Sequence, residues 1–424
     1  MKFYDTRPLK IKDIKVTVPG SKSITNRALL MAALSNGECY IKGILFSDDS
    51  RHFLKALEDL GFELDIDEEN KAVKVVGMGG NIPKKNGTIY VGSAGTAARF
   101  LTAMLGLSDG EYVINASEQM KKRPMKPLFD VLKSMGSQIE FLEEENALPV
   151  KIIGCKTDKK IRVSLDISKS TQFLSALMMI GCMCKEGLEV EITSEKKTGS
   201  YINITKNIVE EFCGKVDFDG EVYYIEPKPY SIKEYQVEPD VSAACYFYGI
   251  AAIYGCKALV NNVHFNSTQG DIRFINVLEE MGCKVTDTEA GIEVIGPDKL
   301  KGLENVDMNN FSDQALTLAN VAIFADSPTT ISNIAHIRGQ ECDRLHAIAS
   351  NLKKMGIKVD ERDDSITIYP GEFESADIET FEDHRVAMSF TMSGLGEKSL
   401  RILEPMCCRK TFENYFEIID GLCW

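Results

Sequence analysis

Small polar and cationic residues stand at the start of a long apolar segment near the N-terminus. Pro19–Leu34 reads PGSKSITNRALLMAAL, with no charged side chain after Arg27. The first N–H groups of a helix are unsatisfied and carry the positive end of its dipole, so Lys22 and Arg27 beside them would suit a phosphate or carboxylate. Ser21 and Ser23 can cap the helix or donate to the same anion. Taken alone, the segment still favours a capped core helix with two surface cations.

The same arrangement, a polar start followed by an apolar helix, recurs along the whole chain. Successive copies are 73, 75, 71, 71 and 71 residues apart and begin near Ser23, Thr96, Thr171, Ser242, Asp313 and His384. Between them recurs an amphipathic helix that ends at Gly and leads into alternating apolar and polar residues, as at 53–76 and 272–294. That alternation, split by a polar turn, indicates two antiparallel strands. The period therefore predicts six copies of one α/β unit with two helices and about four strands each.

Six units would divide into two domains of three. A crossover is predicted at Lys233–Pro239, between the third and fourth units, so we expect one domain over residues 20–236 and another over residues 1–19 and 237–424. Leu9–Val18 is predicted as a strand ahead of the first unit, and the last copy, Tyr415–Gly421, lacks its hairpin. A strand from one end of the chain is therefore expected to complete the unit at the other. If the apolar helices lie side by side, their starts would converge on one surface.

Composition excludes several classes of protein. The net charge of −14 argues against nucleic acid as a general partner. The 12 cysteines include no Cys-x-x-Cys pair and the five histidines are scattered, so no metal site is predicted. The N-terminus lacks the apolar core of a signal peptide, and no uncharged apolar run reaches about 18 residues. We therefore expect a cytoplasmic protein with reduced thiols and no membrane partner. It is expected to be a monomer, because no heptad repeat or apolar surface stripe stands out.

Cations gather at the predicted helix starts or beside them, against the negative charge of the whole chain. Surface salt bridges would explain any one of them, but equivalent positions in successive units favour a site for a polyanion. Two carboxylates in such a site suggest general acid–base catalysis, with pairing to arginine as the alternative. We prefer pairing for Asp343 and leave Asp240 and Asp383 open between helix cap and catalyst. The cations are Lys22, Arg27, Arg99, Arg123, Lys169, Arg338, Arg344, Arg385 and Lys410.

Eight motifs follow one another in a recognisable order between residues 19 and 412. They are Pro19-Gly-Ser-Lys-Ser-x-x-Asn-Arg27, Ala94-Gly-Thr-Ala97 with Arg99, Arg123-Pro124, Ser170-Thr-Gln-Phe173, Asp313, Glu341-x-Asp-Arg344, Asp383-His-Arg385 and Lys410. In this order and spacing the chain resembles the family of 3-phosphoshikimate 1-carboxyvinyltransferase, also called EPSP synthase. The resemblance implies an α/β fold of two domains, each with three βαβαββ-type units around buried parallel helices, an inside-out α/β barrel. It places the active site in the interdomain cleft.

The resemblance also implies a reaction. The enolpyruvyl group of phosphoenolpyruvate would pass to the 5-hydroxyl of shikimate 3-phosphate by addition–elimination, releasing phosphate. The partners would be these two small molecules, and no metal or organic cofactor would be needed. Asp313 would accept the hydroxyl proton, while Glu341 with Lys22 would protonate the methylene carbon and later remove that proton.

The remaining roles are likewise implied by the resemblance. Two positions depart from the usual family pattern, since His336 stands where Asn is common and Gln340 where many members have Lys. Phosphoenolpyruvate would contact Lys22, Gly95, Arg123, Gln172, Arg344, Arg385 and Lys410. Shikimate 3-phosphate would contact Lys22, Ser23, Arg27, Ser170, Thr171, Gln172, Tyr201, Asp313, His336 and Gln340.

Two other functions fit parts of the pattern. The related UDP-N-acetylglucosamine 1-carboxyvinyltransferases carry a reactive cysteine on a loop that corresponds to residues 109–124, and this stretch contains no cysteine. A non-catalytic, anion-binding repeat protein would be expected to lose the catalytic carboxylates, but Asp313 and Glu341 are both present. Both observations favour the shikimate reaction.

Overall fold

The computed structural model describes residues 2–423; Met1 and Trp424, the ends of the predicted second domain, lie outside the described residues. The chain forms two compact units. The continuous unit is Gly20–Glu238, and the split unit combines Met1–Pro19 with Pro239–Trp424. The predicted division was at 19/20 and 236/237, whereas the units divide at 19/20 and 238/239.

The elements follow a β-α-β-α-β-β order that recurs in both units. The N-terminal segment of the split unit contributes β1 (Phe3–Asp5) and β2 (Asp13–Val16). The continuous unit contains α1 (Lys22–Leu34), β3 (Asn36–Lys42), α2 (Asp48–Asp59), β4 (Leu64–Asp67), β5 (Ala72–Met78), β6 (Asn86–Tyr90), α3 (Gly95–Gly106), β7 (Glu111–Asn115), α4 (Glu118–Lys121), α5 (Lys126–Ser134), β8 (Gln138–Phe141), β9 (Val150–Ile153), β10 (Ile161–Leu165), α6 (Gln172–Met179), β11 (Leu188–Ile192), α7 (Ser200–Glu211), β12 (Val216–Phe218), β13 (Val222–Ile225) and β14 (Glu234–Gln236).

The rest of the split unit continues the same order, with short 3-10 turns before several helices. Its helices and strands are α8 (Val241–Tyr254), β15 (Lys257–Asn261), α9 (Arg273–Glu280), β16 (Lys284–Thr288), β17 (Gly291–Ile295), β18 (Val306–Asp307), α10 (Ala315–Ala322), β19 (Thr329–Ser332), α11 (Arg344–Lys354), β20 (Val359–Glu361), β21 (Ile366–Ile368), β22 (Asp377–Ile378), α12 (His384–Ser393), β23 (Arg401–Leu403) and α13 (Tyr415–Cys423). The 3-10 turns are Gly181–Met183, Gly270–Ile272, Ser312–Gln314, Ala335–Gly339 and Pro405–Lys410.

Each of the six repeats contains one small sheet, and three of these sheets are formed entirely by strands of their own repeat. In the second repeat β6 runs parallel to β7, and the β8–β9 hairpin adds two antiparallel strands in the order β6-β7-β9-β8. The third and fifth repeats have the same order, β10-β11-β13-β12 and β18-β19-β21-β20. No sheet of the described residues closes on itself into a barrel of strands. The predicted α/β fold of repeated βαβαββ units is therefore confirmed.

Strands from distant parts of the chain complete the other three sheets. β14 pairs in parallel with β3 and supplies the first strand of the first repeat, while β2 does the same for β15 in the fourth. β1 pairs antiparallel with β23, so the sixth repeat has a three-stranded sheet. The predicted N-terminal strand thus joins the fourth repeat, whereas β1 joins the last one. The predicted strand Leu9–Val18 was too long, and β1 was not predicted.

Three helices in each unit are buried on every side. Every residue of α1 from Ile24 to Leu34 is buried, and so is every residue of α3. A helix that is apolar all round can only be stable inside a core, whereas α2 or α9, with one polar face, can cover its outside. Within residues 2–423, no helix combines the length and apolar character that crossing a membrane requires.

Contacts between their starts show that the buried helices of the continuous unit run in the same direction. Asn26 Nδ2, near the start of α1, donates to Thr96 Oγ1 at the start of α3 over 2.6 Å. Arg99 Nη1, in the same part of α3, donates to Gln172 Oε1, the first residue of α6, also over 2.6 Å. The polar residues at all three starts therefore lie on one side of the unit.

The split unit has the same arrangement. Arg385, near the start of α12, donates to Ser242 Oγ near the start of α8 over 3.3 Å. At the other end, Ser393 Oγ of α12 donates to Asn320 Oδ1 of α10 over 2.8 Å. α12 thus contacts α8 at their starts and α10 at their ends. These three helices therefore run in the same direction, and their starts lie together.

Burial on all sides has a measurable consequence in α1. Leu29 and Met31 point in directions about 200° apart, on opposite sides of the helix, yet both are fully buried. We expect Leu29→Ala and Met31→Ala each to lower the free energy of unfolding by about 2–5 kcal/mol, measured by urea denaturation with circular dichroism. An amphipathic helix would show this for only one of them. Leu142→Ala, at an exposed leucine, is the control and should change stability by less than about 0.5 kcal/mol.

Candidate active site

Lys22 opens α1 and is held by a buried carboxylate. Its Nζ lies 3.3 Å from Asp49 Oδ2, and Asp49 sits in the first turn of α2 with 2% of its side chain exposed. Ser21 occupies the N-cap position, but its side chain makes no capping hydrogen bond. The start of α1 thus combines N–H groups that Ser21 does not cap with a fixed ammonium group.

Arg27 lies inside the unit with an unusual set of partners. Its Nε donates to Thr205 Oγ1 and its Nη1 to the Ser23 carbonyl, both over 2.8 Å. Its Nη2 donates to Ser175 Oγ over 3.1 Å and to the Tyr201 carbonyl over 3.5 Å. All four partner atoms belong to uncharged groups, and burial lowers the pKa of Arg27 to about 10. The guanidinium is 1% exposed, so it is a buried positive charge that holds Ser23 and Tyr201 together.

A second group of contacts surrounds the start of α3. Arg99 Nη2 donates to the Pro124 carbonyl over 3.0 Å, which ties the following segment to this helix. Arg123 Nη1 reaches the Ser93 carbonyl at 3.5 Å. A Cβ on Gly95 would lie 2.8 Å from Arg123 Nη1, so only glycine lets the guanidinium lie against the helix start. Gly95, Arg123 and, through Arg99, Gln172 are thereby brought together.

The start of α6, which Arg99 joins to the start of α3, carries hydroxyl and amide groups. Thr171 stands at the N-cap of α6, and Ser170 Oγ accepts from the Gln172 N–H over 3.2 Å. Tyr201 is the second residue of α7 and joins this helix to Arg27 through its carbonyl. Every residue that the sequence assigned to the continuous unit therefore lies at the start of α1, α3, α6 or α7, or beside one of these starts.

The split unit contains an ionic cluster centred on Arg344, which is 1% exposed. Nε donates to Asp383 Oδ2 over 2.7 Å, Nη1 to Asp313 Oδ1 over 2.8 Å and Nη2 to Glu341 Oε2 over 3.0 Å. Nη1 also donates to Gln340 Oε1. Burial lowers the pKa of Arg344, but Asp383, Glu341 and Asp313 outweigh this effect and raise it above its usual value.

Two further cations complete this cluster. Arg385 Nη2 donates to Asp313 Oδ2 over 2.9 Å, so Asp313 is held by a different arginine at each oxygen. Lys410 Nζ lies 3.6 Å from Glu341 Oε1, with Arg344 on the other oxygen. The two carboxylates expected to be catalytic are thus fixed on either side of one arginine. His336 lies at the edge, where its Nε2 is 2.8 Å from Ser312 Oγ, next to Asp313.

The three remaining acidic residues are helix caps. Asp240 accepts from the Ala243 N–H at the start of α8 over 3.3 Å. Asp343 accepts from the His346 N–H at the start of α11 and pairs with Arg338 over 2.9 Å, so its expected pairing with arginine is found. Asp383 caps α12 through the Arg385 N–H over 2.8 Å and also binds Arg344. Asp240 and Asp383 therefore both act as caps, and Asp383 also anchors the cluster.

Comparison with known proteins shows which family the chain belongs to. The model of the family "EPSP synthase (3-phosphoshikimate 1-carboxyvinyltransferase)" matches residues 9–419. The chain belongs to the EPSP synthase family. It is 40% identical over 406 residues to the 3-phosphoshikimate 1-carboxyvinyltransferase of Trichormus variabilis, covering 95% of each chain. It is 39% identical over 430 residues to that of Sulfurovum sp., covering 100% of this chain and 99% of the relative.

Solved structures agree with the sequence comparison. The EPSP synthase of Acinetobacter baumannii superposes with a TM-score of 0.83 at 26% sequence identity, over 99% of this chain and 98% of that one. The two-unit repeat architecture is therefore that of an EPSP synthase family member over essentially the whole chain.

Two buried acids near the candidate residues were not predicted from the sequence: Asp49, which holds Lys22, and Asp271 in the split unit. Asp271, 7% exposed, lies in the turn Gly270–Ile272, and its Oδ2 accepts from Ser242 Oγ and, over 2.9 Å, from Gln314 Nε2. Burial and the charge of Asp313 raise its pKa to about 6, although Arg385 and the two hydrogen bonds act in the opposite direction. It precedes an amphipathic helix and not a buried one, so the repeat pattern gave no signal for it.

The raised pKa of Asp271 predicts how stability varies with pH. Its pKa rises from an ordinary 3.8 to about 6, so between these values the folded protein binds more protons than the unfolded chain. The stability contributed by this group is therefore lost as pH rises through that window. Asp313, Arg385 and the thiol of Cys245 are the titratable or charged groups around it.

We expect Asp271→Asn, which keeps an acceptor oxygen without the charge, to raise the melting temperature near pH 8. The gain should shrink as pH is lowered towards 4, because the wild-type carboxyl is then neutral as well. Thermal unfolding of both proteins across this range measures the effect. Asp363→Asn, at an exposed aspartate of the same unit, is the control. A gain that did not change with pH would contradict the assignment.

Proposed function

We propose that this protein transfers the enolpyruvyl group of phosphoenolpyruvate to the 5-hydroxyl of shikimate 3-phosphate, forming 5-enolpyruvylshikimate 3-phosphate and phosphate. The observation that carries the proposal is the cluster around Arg344. It joins five residues that the motifs had singled out at positions 313, 341, 344, 385 and 410. An acid and a base beside three cations suit a reaction between two anions that needs proton transfer.

The proposed chemistry has two steps. In the addition, the 5-hydroxyl oxygen attacks C2 of phosphoenolpyruvate while Asp313 accepts its proton, and Glu341 with Lys22 delivers a proton to C3. The product is a tetrahedral intermediate with a methyl group at C3. In the elimination, a C3 proton returns to the protein, the C2–C3 double bond re-forms, and the C2–O bond to phosphate breaks. The proton that Asp313 took from the hydroxyl leaves with the phosphate, and Glu341 with Lys22 recovers the proton it gave to C3, so no redox partner or metal is needed.

Phosphoenolpyruvate is assigned to the cations of the cluster and to the start of α3. Each substrate carries a phosphate of about −1.5 to −2 and a carboxylate, so the two would repel each other without compensating charge. Arg344, Arg385 and Lys410 already hold carboxylates of the protein, and phosphoenolpyruvate offers the same chemistry. Gly95 and Arg123, with the Gln172 amide, provide a cation and backbone N–H groups for its other end.

Shikimate 3-phosphate is assigned to the continuous unit. The buried charge of Arg27 faces only uncharged partner atoms, so an anion bound at the adjoining groups would supply the missing counter-charge. Ser23 and Tyr201 lie directly against this guanidinium, while Lys22 stands at the same helix start. Ser170, Thr171 and Gln172 would donate from the start of α6, and His336 and Gln340 would contribute from beside Asp313.

The setting of the proposed reaction follows from its chemistry. Both substrates are soluble, highly charged metabolites, which suits a cytoplasmic monomer whose two units act as separate domains. The continuous unit, residues 20–238, would supply the shikimate 3-phosphate groups and the split unit the proton-transfer groups.

The decisive assay is release of inorganic phosphate. We expect purified protein to release phosphate when phosphoenolpyruvate and shikimate 3-phosphate are both present, and neither substrate alone should give a signal. Addition of a chelator should leave the rate unchanged. Activity with UDP-N-acetylglucosamine and none with shikimate 3-phosphate would replace the proposal by the related cell-wall reaction. Absence of turnover with either acceptor would favour a non-catalytic binding protein.

Asp313→Ala tests the assigned base. Loss of general base catalysis typically slows turnover by about 10²–10⁴-fold, so kcat should fall within this range while the protein stays folded. Asp343→Ala is a matched control, because this half-exposed aspartate caps α11 and pairs with Arg338 outside the cluster. Its kcat should stay within about twofold of the wild type. A normal kcat for Asp313→Ala would remove this residue from the mechanism.

A further inference from the structure

Asp271 takes part in a closed ring of contacts within the split unit. Its Oδ2 accepts from Ser242 Oγ, and Ser242 Oγ in turn accepts from Arg385 Nη2 over 3.3 Å. Arg385 Nη2 also donates to Asp313 Oδ2 over 2.9 Å. Asp313 is followed in the chain by Gln314, whose Nε2 donates back to Asp271 over 2.9 Å. The ring joins α8, α12 and two 3-10 turns that are distant in sequence.

The direction of each hydrogen bond in this ring is fixed. Gln314 Oε1 accepts from Thr317 Oγ1 over 2.9 Å, so the amide nitrogen must face Asp271. Asp271 Oδ2, as a carboxylate oxygen, accepts from both Gln314 and Ser242. Ser242 has one hydroxyl proton, and once this points to Asp271 only lone pairs remain for the Arg385 guanidinium. The acid therefore determines which way the serine faces the arginine.

We propose that Asp271 is a positioning residue for the reaction assigned above. Through Ser242 it sets the place of Arg385, and through Gln314 it sets the turn that carries Asp313. It touches neither substrate in this role. The inference rests on the proposed function, because Arg385 and Asp313 are the groups assigned to phosphoenolpyruvate binding and proton acceptance.

The burial of Asp271 supports a role beyond stability. A buried carboxylate is costly to keep, and a neutral residue that made the same hydrogen bonds would serve the fold better. Its two side-chain donors connect it to Arg385 through Ser242 and, through Gln314, to the turn that carries Asp313. If a neutral residue in place of Asp271 stabilises the fold but slows the reaction, then the reaction is the reason for the carboxylate.

Kinetics of four variants test the proposal, with each substrate varied in turn. Ser242→Ala removes the link to Arg385, so KM for phosphoenolpyruvate should rise about tenfold while kcat stays within about threefold. Asp271→Ala breaks both links, so KM should rise similarly and kcat should also fall about tenfold or more. Asp271→Asn keeps an acceptor and should recover part of both losses. The control is Ser389→Ala, a buried serine on the Arg385 helix whose hydroxyl donates only to backbone carbonyls.

The outcomes separate this inference from the proposed function. Wild-type protein without phosphate release from the two substrates overturns the proposed function and the inference with it. Active wild type with Ser242→Ala and Asp271→Asn indistinguishable from Ser389→Ala overturns the inference alone. An equal rise in KM for both substrates, together with a lowered melting temperature, would indicate a purely structural role and would also overturn the inference. If Asp271→Ala does not fold, Ser242→Ala and Asp271→Asn still decide, because each keeps most of the ring.

Discussion

The requirement to bury three helices on all sides governs the architecture of each unit. A helix such as α1 or α3, which is buried along almost its whole length, has no outward face for charged groups. Charged residues stand only near its start, and parallel packing gathers the three starts on one side of the unit. The place of the site is therefore a consequence of how the core is built, and the small sheets and amphipathic helices serve to enclose that core.

The two units use the same helix starts in opposite ways. In the split unit, α8 and α12 are capped by Asp240 and Asp383, so carboxylates fill the positive ends of those helices. In the continuous unit, α1 and α3 begin without a side-chain cap, and cations stand beside them. The same repeat therefore gives helix starts that carboxylates cap in one unit and uncapped starts beside cations in the other.

Much of the fold followed from the sequence because the repeat period and the apolar helices are local, countable signals. The strand β1 was missed since three residues ahead of Pro8 give almost no alternation, and only pairing with β23 defines it. The motifs predicted which residues stand at the helix starts, but not that Arg27 is buried among uncharged partners. Asp271 left no trace in the pattern because its importance arises from contacts with residues 29 and 43 positions away in sequence. Local sequence records which residues can be buried, whereas charge pairing across repeats depends on the assembled core.

The chain enters and leaves the continuous unit at a single seam. Ser21 N–H donates to the Glu238 carbonyl over 2.8 Å, so the first and last residues of that unit are neighbours. On the other side, Asp240 N–H donates to the Pro19 carbonyl over the same distance, which makes the two pieces of the split unit adjacent as well. In sequence, the continuous unit is therefore inserted between the two pieces of the split unit. Residues 20–238 need no new link when they are taken by themselves, and the split unit needs only a short one from Pro19 to Pro239.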